Sequence, residues 1–307
     1  NNYEISIRPS ELKNIAKIFG IYINVSDELN EYINLMTILK KEEIDLLELL
    51  TMDDENYNCY LNTIRSRANN NNISNLLIIM RNRLKNNLPG NNILRYLLVK
   101  MDNNVIKDQL DFSPNPKLEN LFMKNQCIPF DSMPYAMSLC NHNVSWYHLI
   151  NAIDSNGREH EILGKFIKDN SENNNILYTD ITEVEKFGNV SKLVEQYNLD
   201  LKEYGIGPNG LNSIKMEHQL LYINSYEINT IDIINELKKY LTKPSTEIIK
   251  SMNENLQSFP IENLTEDKRK ILNEIFKENS IAFIHGPAGT GKTKMLEVIA
   301  TAFKNYS

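Results

Sequence analysis

The chain has 307 residues, 41% of them hydrophobic and 8% aromatic, and a formal net charge of −7. That is apolar material for two or three ordinary cores, and the negative sign excludes a globally basic nucleic-acid binder, so any such role must lie in a local patch. Three unpatterned cysteines, Cys59, Cys127 and Cys140, predict reduced thiols and a cytoplasmic protein, and no apolar run reaches the length of a membrane span.

Residues 1–111 read as a helical region. Pro9 and Ser10 open a helix whose Leu12, Ile15, Ala16 and Phe19 share a face, and Gly20 ends it. A second helix follows Ser26, Asp27 and Glu28, with Leu29, Ile33, Met36 and Ile38 or Leu39 turned inward; 42–50 continue in the same style. Helical periodicity returns over 57–67, 74–85 and 91–100.

Charge is uneven here. Glu42, Glu43, Asp45, Glu48, Asp53, Asp54 and Glu55 crowd one short stretch, and residues 56–101 then contain no acid at all. That acid-free span carries Arg65, Arg67, Arg81, Arg83, Lys85, Arg95 and Lys100. Its five arginines suit bidentate phosphate contact, so the seven cations are nucleic-acid candidates. The plainer alternative is that they pair with the acids just before them or form a solvated face.

Phe112 to Pro116, with two prolines, reads as a linker. Residues 117–258 then read as an α+β accessory region. Strands are expected within 121–130, a turn at 131–134, a short helix at 135–139 and a helix at 146–153. An amphipathic helix over 157–169 should bury Ile162, Leu163, Phe166 and Ile167. A strand at 176–179, a helix at 190–197, a strand at 218–226 and helices at 230–241 and 244–255 complete the region.

Several apparent sites in it are weak. Gly205, Gly207 and Gly210 match G-x-G-x-x-G, but no strand precedes them, and Pro208-Asn209-Gly210 is turn chemistry. Cys127, Cys140, His142 and His148 lack the close pair that zinc sites use. Asp180, Glu183, Glu185 and Lys186 come near a nuclease cluster without its geometry, and charge clusters of this kind usually face solvent.

Residues 259–307 are the informative end. Thr265 can cap a helix carrying Glu266 and Asp267 at its positive end, with Ile271, Leu272, Ile275 and Phe276 on its buried side. Ile281, Ala282, Phe283 and Ile284 read as a buried strand. They lead into Gly286, Pro287, Ala288, Gly289, Thr290, Gly291, Lys292 and Thr293, which fit G-x-x-x-x-G-K-[ST]. Glycines let the backbone wrap an anion, so that its amides and the following helix N-terminus bind phosphate oxygens. In that chemistry Lys292 reaches the β- and γ-phosphates of ATP, and Thr293 holds Mg²⁺. Leu296, Ile299, Ala300 and Phe303 then mark one face of a helix.

LTEDKRKIL, IAFIHGPAGTGKT and KMLEVIATAF together resemble the opening of the first motor domain of superfamily 1 helicases and related nucleic-acid-dependent ATPases. The resemblance covers about the last 45 residues, and other P-loop ATPases share GPAGTGKT. With the elements read above, the chain is expected to be mainly α with an α+β middle region, and the resemblance implies that it ends in the truncated start of a RecA-like P-loop α/β motor domain. It also implies ATP and Mg²⁺ as ligands, and nucleic acid as partner of the parent protein. In that family the capped helix usually carries a glutamine that reads adenine. Lys268 stands at the matching position, which makes it the adenine-proximal candidate and puts adenine selectivity in question.

Such motors need a downstream acid and an arginine finger. With neither before Ser307, the expectation is an N-terminal fragment of a longer ATP-hydrolysing helicase or translocase, itself inactive in hydrolysis. The competing expectation is a nucleotide-sensing switch whose N-terminal region docks a protein partner. Neither involves a membrane.

Overall fold

The computed structural model describes residues 7–206, 210–241, 250, 265–271, 281 and 283–303. The chain divides into two compact units, Asn1–Ser225 and Tyr226–Ser307. It is mainly helical with small antiparallel sheets.

The first unit begins with helices α1 (Pro9–Ile18), α2 (Asn30–Glu42), α3 (Leu46–Thr51), α4 (Asp54–Arg65), α5 (Asn72–Lys85), α6 (Asn91–Lys100) and α7 (Asn103–Gln109). Local chemistry sets most of these ends. Asp45 and Glu48 form a reciprocal capping box at α3, each side chain accepting from the other's backbone N–H at 2.8 Å. Asp53 caps α4 through the Asn56 N–H at 2.9 Å, and Asp102 caps α7. The run expected to continue from 42 to 50 is broken at Glu43, whose left-handed φ of 54° closes α2.

Two helices are capped from a distance. The buried Glu31 carboxylate on α2 accepts from Ile73 N–H at 2.8 Å, Ser74 N–H at 2.6 Å and the Ser74 hydroxyl. These are the first donors of α5, whose own N-cap residue Asn71 supplies no side-chain bond. Asp131 does the same for α6, accepting from Gly90 N–H at 2.7 Å and Asn92 N–H at 3.0 Å. Burial pushes its carboxyl above the usual range, against the pull of these amides.

One continuous core runs from Ile7 to Ile153. It crosses the expected linker: Leu110–Asn115 form strand β1, paired antiparallel with β2 (Leu121–Met123). The prolines mislead because Pro114 sits in a strand with a single partner, where a missing N–H is tolerated. The expected boundary at 112–116 therefore falls inside a compact unit. Strand structure over 121–130 is limited to β2, and α8 (Ile128–Ser132) follows. Residues 135–139 are not helical: a turn and a bend lead to an isolated antiparallel bridge between Leu139 and His142, and Tyr135 is fully buried with its hydroxyl on Ile153 O. The inward face of α2 is Tyr32, Leu35, Ile38 and Leu39, and Ile33 is exposed.

Beyond the core come α9 (Trp146–Ala152), α10 (Glu159–Asn173), β3 (Thr179–Asp180), α11 (Ile181–Val184) and α12 (Val190–Glu203). The hairpin β4 (Ile214–Glu217) and β5 (Leu220–Ile223) joins β3 in the order β3-β5-β4, all antiparallel. Helices α10 and α12 contact each other and this sheet. They approach closely because residue 164 is glycine: a Cβ there would lie 2.2 Å from the Tyr197 ring. Leu163 and Ile167 are buried as expected, while Ile162 and Phe166 are half-buried.

The helix α13 (Asn224–Leu241) starts six residues earlier than the expected 230. In the second unit, residues 266–271 are helical and α14 spans Lys292–Phe303. The helix expected at 244–255 lies outside the described residues. Among the described residues, no helix is long and apolar enough to cross a membrane.

Candidate nucleotide-binding site

The loop before α14 has the backbone that its glycines require. Gly289 and Gly291 take φ of 82° and 78°, values that L side chains rarely adopt. Gly291 accepts the first helical bond, from Met295 N–H at 3.1 Å. The first-turn amides of α14 thus have no intrahelical acceptor and form a ready anion site. The Thr290 hydroxyl donates to Pro287 O at 2.9 Å and closes the loop from inside. The Lys292 ammonium folds back and donates to Gly286 O and Pro287 O, both at 2.6 Å. Thr293 is exposed in the first turn of α14, as a hydroxyl ligand for Mg²⁺ would be.

A cavity of about 400 Å³ opens beside the loop. Lys268, His285, Thr290 and Lys292 supply its polar side chains, and Ile271, Phe283, Ile284 and Met295 its apolar wall. Among the described residues it has no carboxylate in its lining. A glycine cradle, a helix N-terminus and cations fit a polyphosphate.

Expectations here need correcting in three places. Residues 281 and 283–284 pair with no strand among the described residues, and Phe283 is 78% exposed. A strand is made by its neighbour, and an apolar run alone does not create one. In the 266–271 helix, Ile271 faces the cavity and is exposed; Leu272, Ile275 and Phe276 lie outside the described residues. On α14, Met295 is buried and Leu296 is exposed. Lys268, the adenine-proximal candidate, lines the cavity with its ammonium near the loop: a Cβ on Gly291 would stand 2.6 Å from Lys268 Nζ.

The acid-free span tells a different story. Arg81 is buried, with its guanidinium on Leu50 O at 2.7 Å, Met52 O at 2.8 Å and Asp54 at 2.7 Å. It also lies 4.1 Å from the Tyr57 ring centre. Arg83 is buried between Leu118 O at 2.8 Å and Pro89 O at 2.5 Å. Against the nucleic-acid expectation, both are buried and spend guanidinium donors inside the unit, although the buried Arg83 Nε has no partner among the described residues. Lys85 pairs with the same Asp54. Arg65, Arg95 and Lys100 are half-buried and Arg67 is exposed. Burial lowers the Arg95 pKa, with Asp154 opposing it. The pairing alternative therefore holds for Arg81 and Lys85.

The weak sites resolve into structure. Gly205 is a left-handed helix stop, φ 65°, with the Ile206 N–H returning to Leu201 O at 2.9 Å; residues 207–209 lie outside the described residues. Cys127 is buried against Gln109, His142 meets the Tyr96 hydroxyl and His148 meets Ser145. Among the described residues, no cluster of His, Cys, Asp or Glu could hold a metal. Asp180 and Glu183 form a capping box, and Lys186 lies over the Phe166 ring at 4.5 Å.

Sequence reasoning missed His285 and Met295 as cavity residues. Periodicity assigned their neighbours to a core, and exposure depends on what lies alongside. No family model, curated protein or solved structure matches the chain.

Proposed function

We propose that the loop from Gly286 to Thr293 binds the phosphates of ATP with Mg²⁺. We further propose that the chain supplies the accessory region and ATP-binding loop of an ATP-dependent DNA or RNA helicase or translocase. One observation carries the nucleotide reading. Two left-handed glycines turn the chain into the N-terminus of α14 and set the Lys292 ammonium over the loop they form. Lys292 would neutralise the outer phosphates, Thr293 would ligate the metal and the loop amides would hold the rest. The motor reading rests on the resemblance of the segments flanking the loop.

Titration of the chain with MgATP tests the first half. Lys292→Ala is expected to weaken binding about 100-fold, through loss of a charged contact to phosphate. Unaltered affinity would remove the phosphate-loop reading. Hydrolysis by the protein that carries this chain, measured with and without single-stranded DNA and RNA, tests the second half. Stimulation by either polymer is the expected outcome.

The nucleotide-sensing switch is favoured by a separate observation. Arg81 and Arg83 are consumed inside the helical unit, which removes two of the seven cations proposed to face nucleic acid. Nucleotide binding with no polymer-stimulated hydrolysis would select the switch, with residues 1–225 as its protein-docking part.

A further inference from the structure

Lys268 has no hydrogen bond or ion pair among the described residues. It is half-buried on the 266–271 helix, and Glu266 on that helix instead faces Lys270, at 3.9 Å. Its ammonium closes on Gly291, the residue at the entrance to α14. Lys292 lines the same cavity. Two ammonium groups and the positive end of a helix thus converge on one small volume. Among the described residues, no acid lines it. Lys292 is met by Gly286 O and Pro287 O, whereas Lys268 has no such acceptor among the described residues, and a polyanion between the two cations would relieve their repulsion.

The rest of the lining has a second character. Ile271, Phe283, Ile284 and Met295 offer contact surface and no side-chain hydrogen-bonding group. A flat heterocycle can lie on such a wall; of the other described side chains, the Thr290 hydroxyl is spent on Pro287 O, which leaves the His285 imidazole, able to donate or accept, to meet the base edge beside the lysines. Discrimination between bases requires paired polar groups, and an apolar wall distinguishes them weakly.

We propose that Lys268 is a second phosphate-binding cation, so that the site recognises the triphosphate tail and accepts nucleoside triphosphates of any base. This rests on the nucleotide-binding reading above. It assigns Lys268 to the phosphates, and it makes phosphate number the quantity that the site measures. Lys268 and Lys292 approach the tail from different elements, the 266–271 helix and α14. Shortening the tail therefore costs more than changing the base.

The test is calorimetric titration of the 307-residue chain with the magnesium complexes of ATP, GTP, CTP and UTP, and with AMP and adenosine. The parent chain is expected to bind the four triphosphates within about threefold of one another, and AMP more than tenfold more weakly. Lys268→Met should lower affinity for all four triphosphates about tenfold and leave adenosine unchanged. It should also flatten the salt dependence of triphosphate binding. Lys268→Arg should restore most of the loss, which a purely structural role would not predict. Triphosphate binding that is unchanged in Lys268→Met, or that favours one base more than tenfold, overturns the proposal and leaves the phosphate-loop reading standing. A parent chain that binds no triphosphate overturns both.

Discussion

In the helical unit, Arg81 is ringed by acceptors: two carbonyls at the end of α3, the Asp54 carboxylate and the Tyr57 ring. In the second unit, Lys268 has no polar partner among the described residues and points at a glycine. Both residues stand in the sequence among other cations, Arg81 with Arg83 and Lys85 and Lys268 with Arg269 and Lys270, although Glu266 and Asp267 precede Lys268. The difference lies in what the fold brings to them. A helix C-terminus leaves carbonyls without intrahelical donors, and a guanidinium is well shaped to take several of them at once. A helix N-terminus leaves amides, which compete with a cation for nothing and share its preference for an anion. Cation density in a sequence thus does not separate a structural rivet from a ligand site; the polarity of the nearest helix end does.

The contrast can be broken most forcefully at Arg81. Arg81→Ala strands the Leu50 and Met52 carbonyls and should destabilise the helical unit by about 3 kcal/mol, read as a lowered urea midpoint. A variant of unchanged stability that loses affinity for single-stranded DNA would reverse the assignment.

On the other side, Gly291→Ala places a methyl group against Lys268 Nζ at a φ of 78°. It should weaken MgATP binding by about tenfold or more, with the helical circular dichroism of the chain retained. ATP affinity equal to that of the parent would show that the cradle is not where phosphate binds.

The smallest effect sharpens the ion-pair end of the comparison. Lys85, and then Arg81, hold the Asp54 carboxyl down to about 2 from its ordinary 3.8. A depressed acid contributes stability above its unfolded pKa and loses it as pH falls through its folded pKa. The gap in melting temperature between the parent and Asp54→Asn should be full above about pH 4 and shrink toward about pH 2. A gap constant across that window would mean that Asp54 acts by shape and not by charge.

Much of the helical unit could be read from its amino acids. The 91–100 helix was legible to the residue, because Gly90 and an apolar period of three to four mark it without ambiguity. The strand at 110–115 was not, since Pro114 and Pro116 signal a break and only the pairing with Leu121–Met123 overrides it. Strand β4 was missed for a related reason: its residues after Ile214 are exposed, and a hairpin edge with one buried position shows no alternation. At the candidate site, glycine spacing announced the loop and Lys292, since backbone conformation is local chemistry. The position of Lys268 over Gly291 could not be inferred, because it depends on how a separate helix lies against the loop.

Glu31 and Asp131 carry a consequence for how the first unit assembles. Each caps a helix from 39 to 43 residues away in the chain. At α5 the N-cap Asn71 makes no side-chain bond, and at α6 the N-cap is Gly90, which has no side chain. Isolated helices of 14 and 10 residues are marginal in water. Here each is completed only when a distant carboxylate arrives. Secondary structure and docking are thereby tied into one event, so a peptide spanning 72–85 should be largely unwound alone, and partial unfolding that frees α2 should take α5 with it.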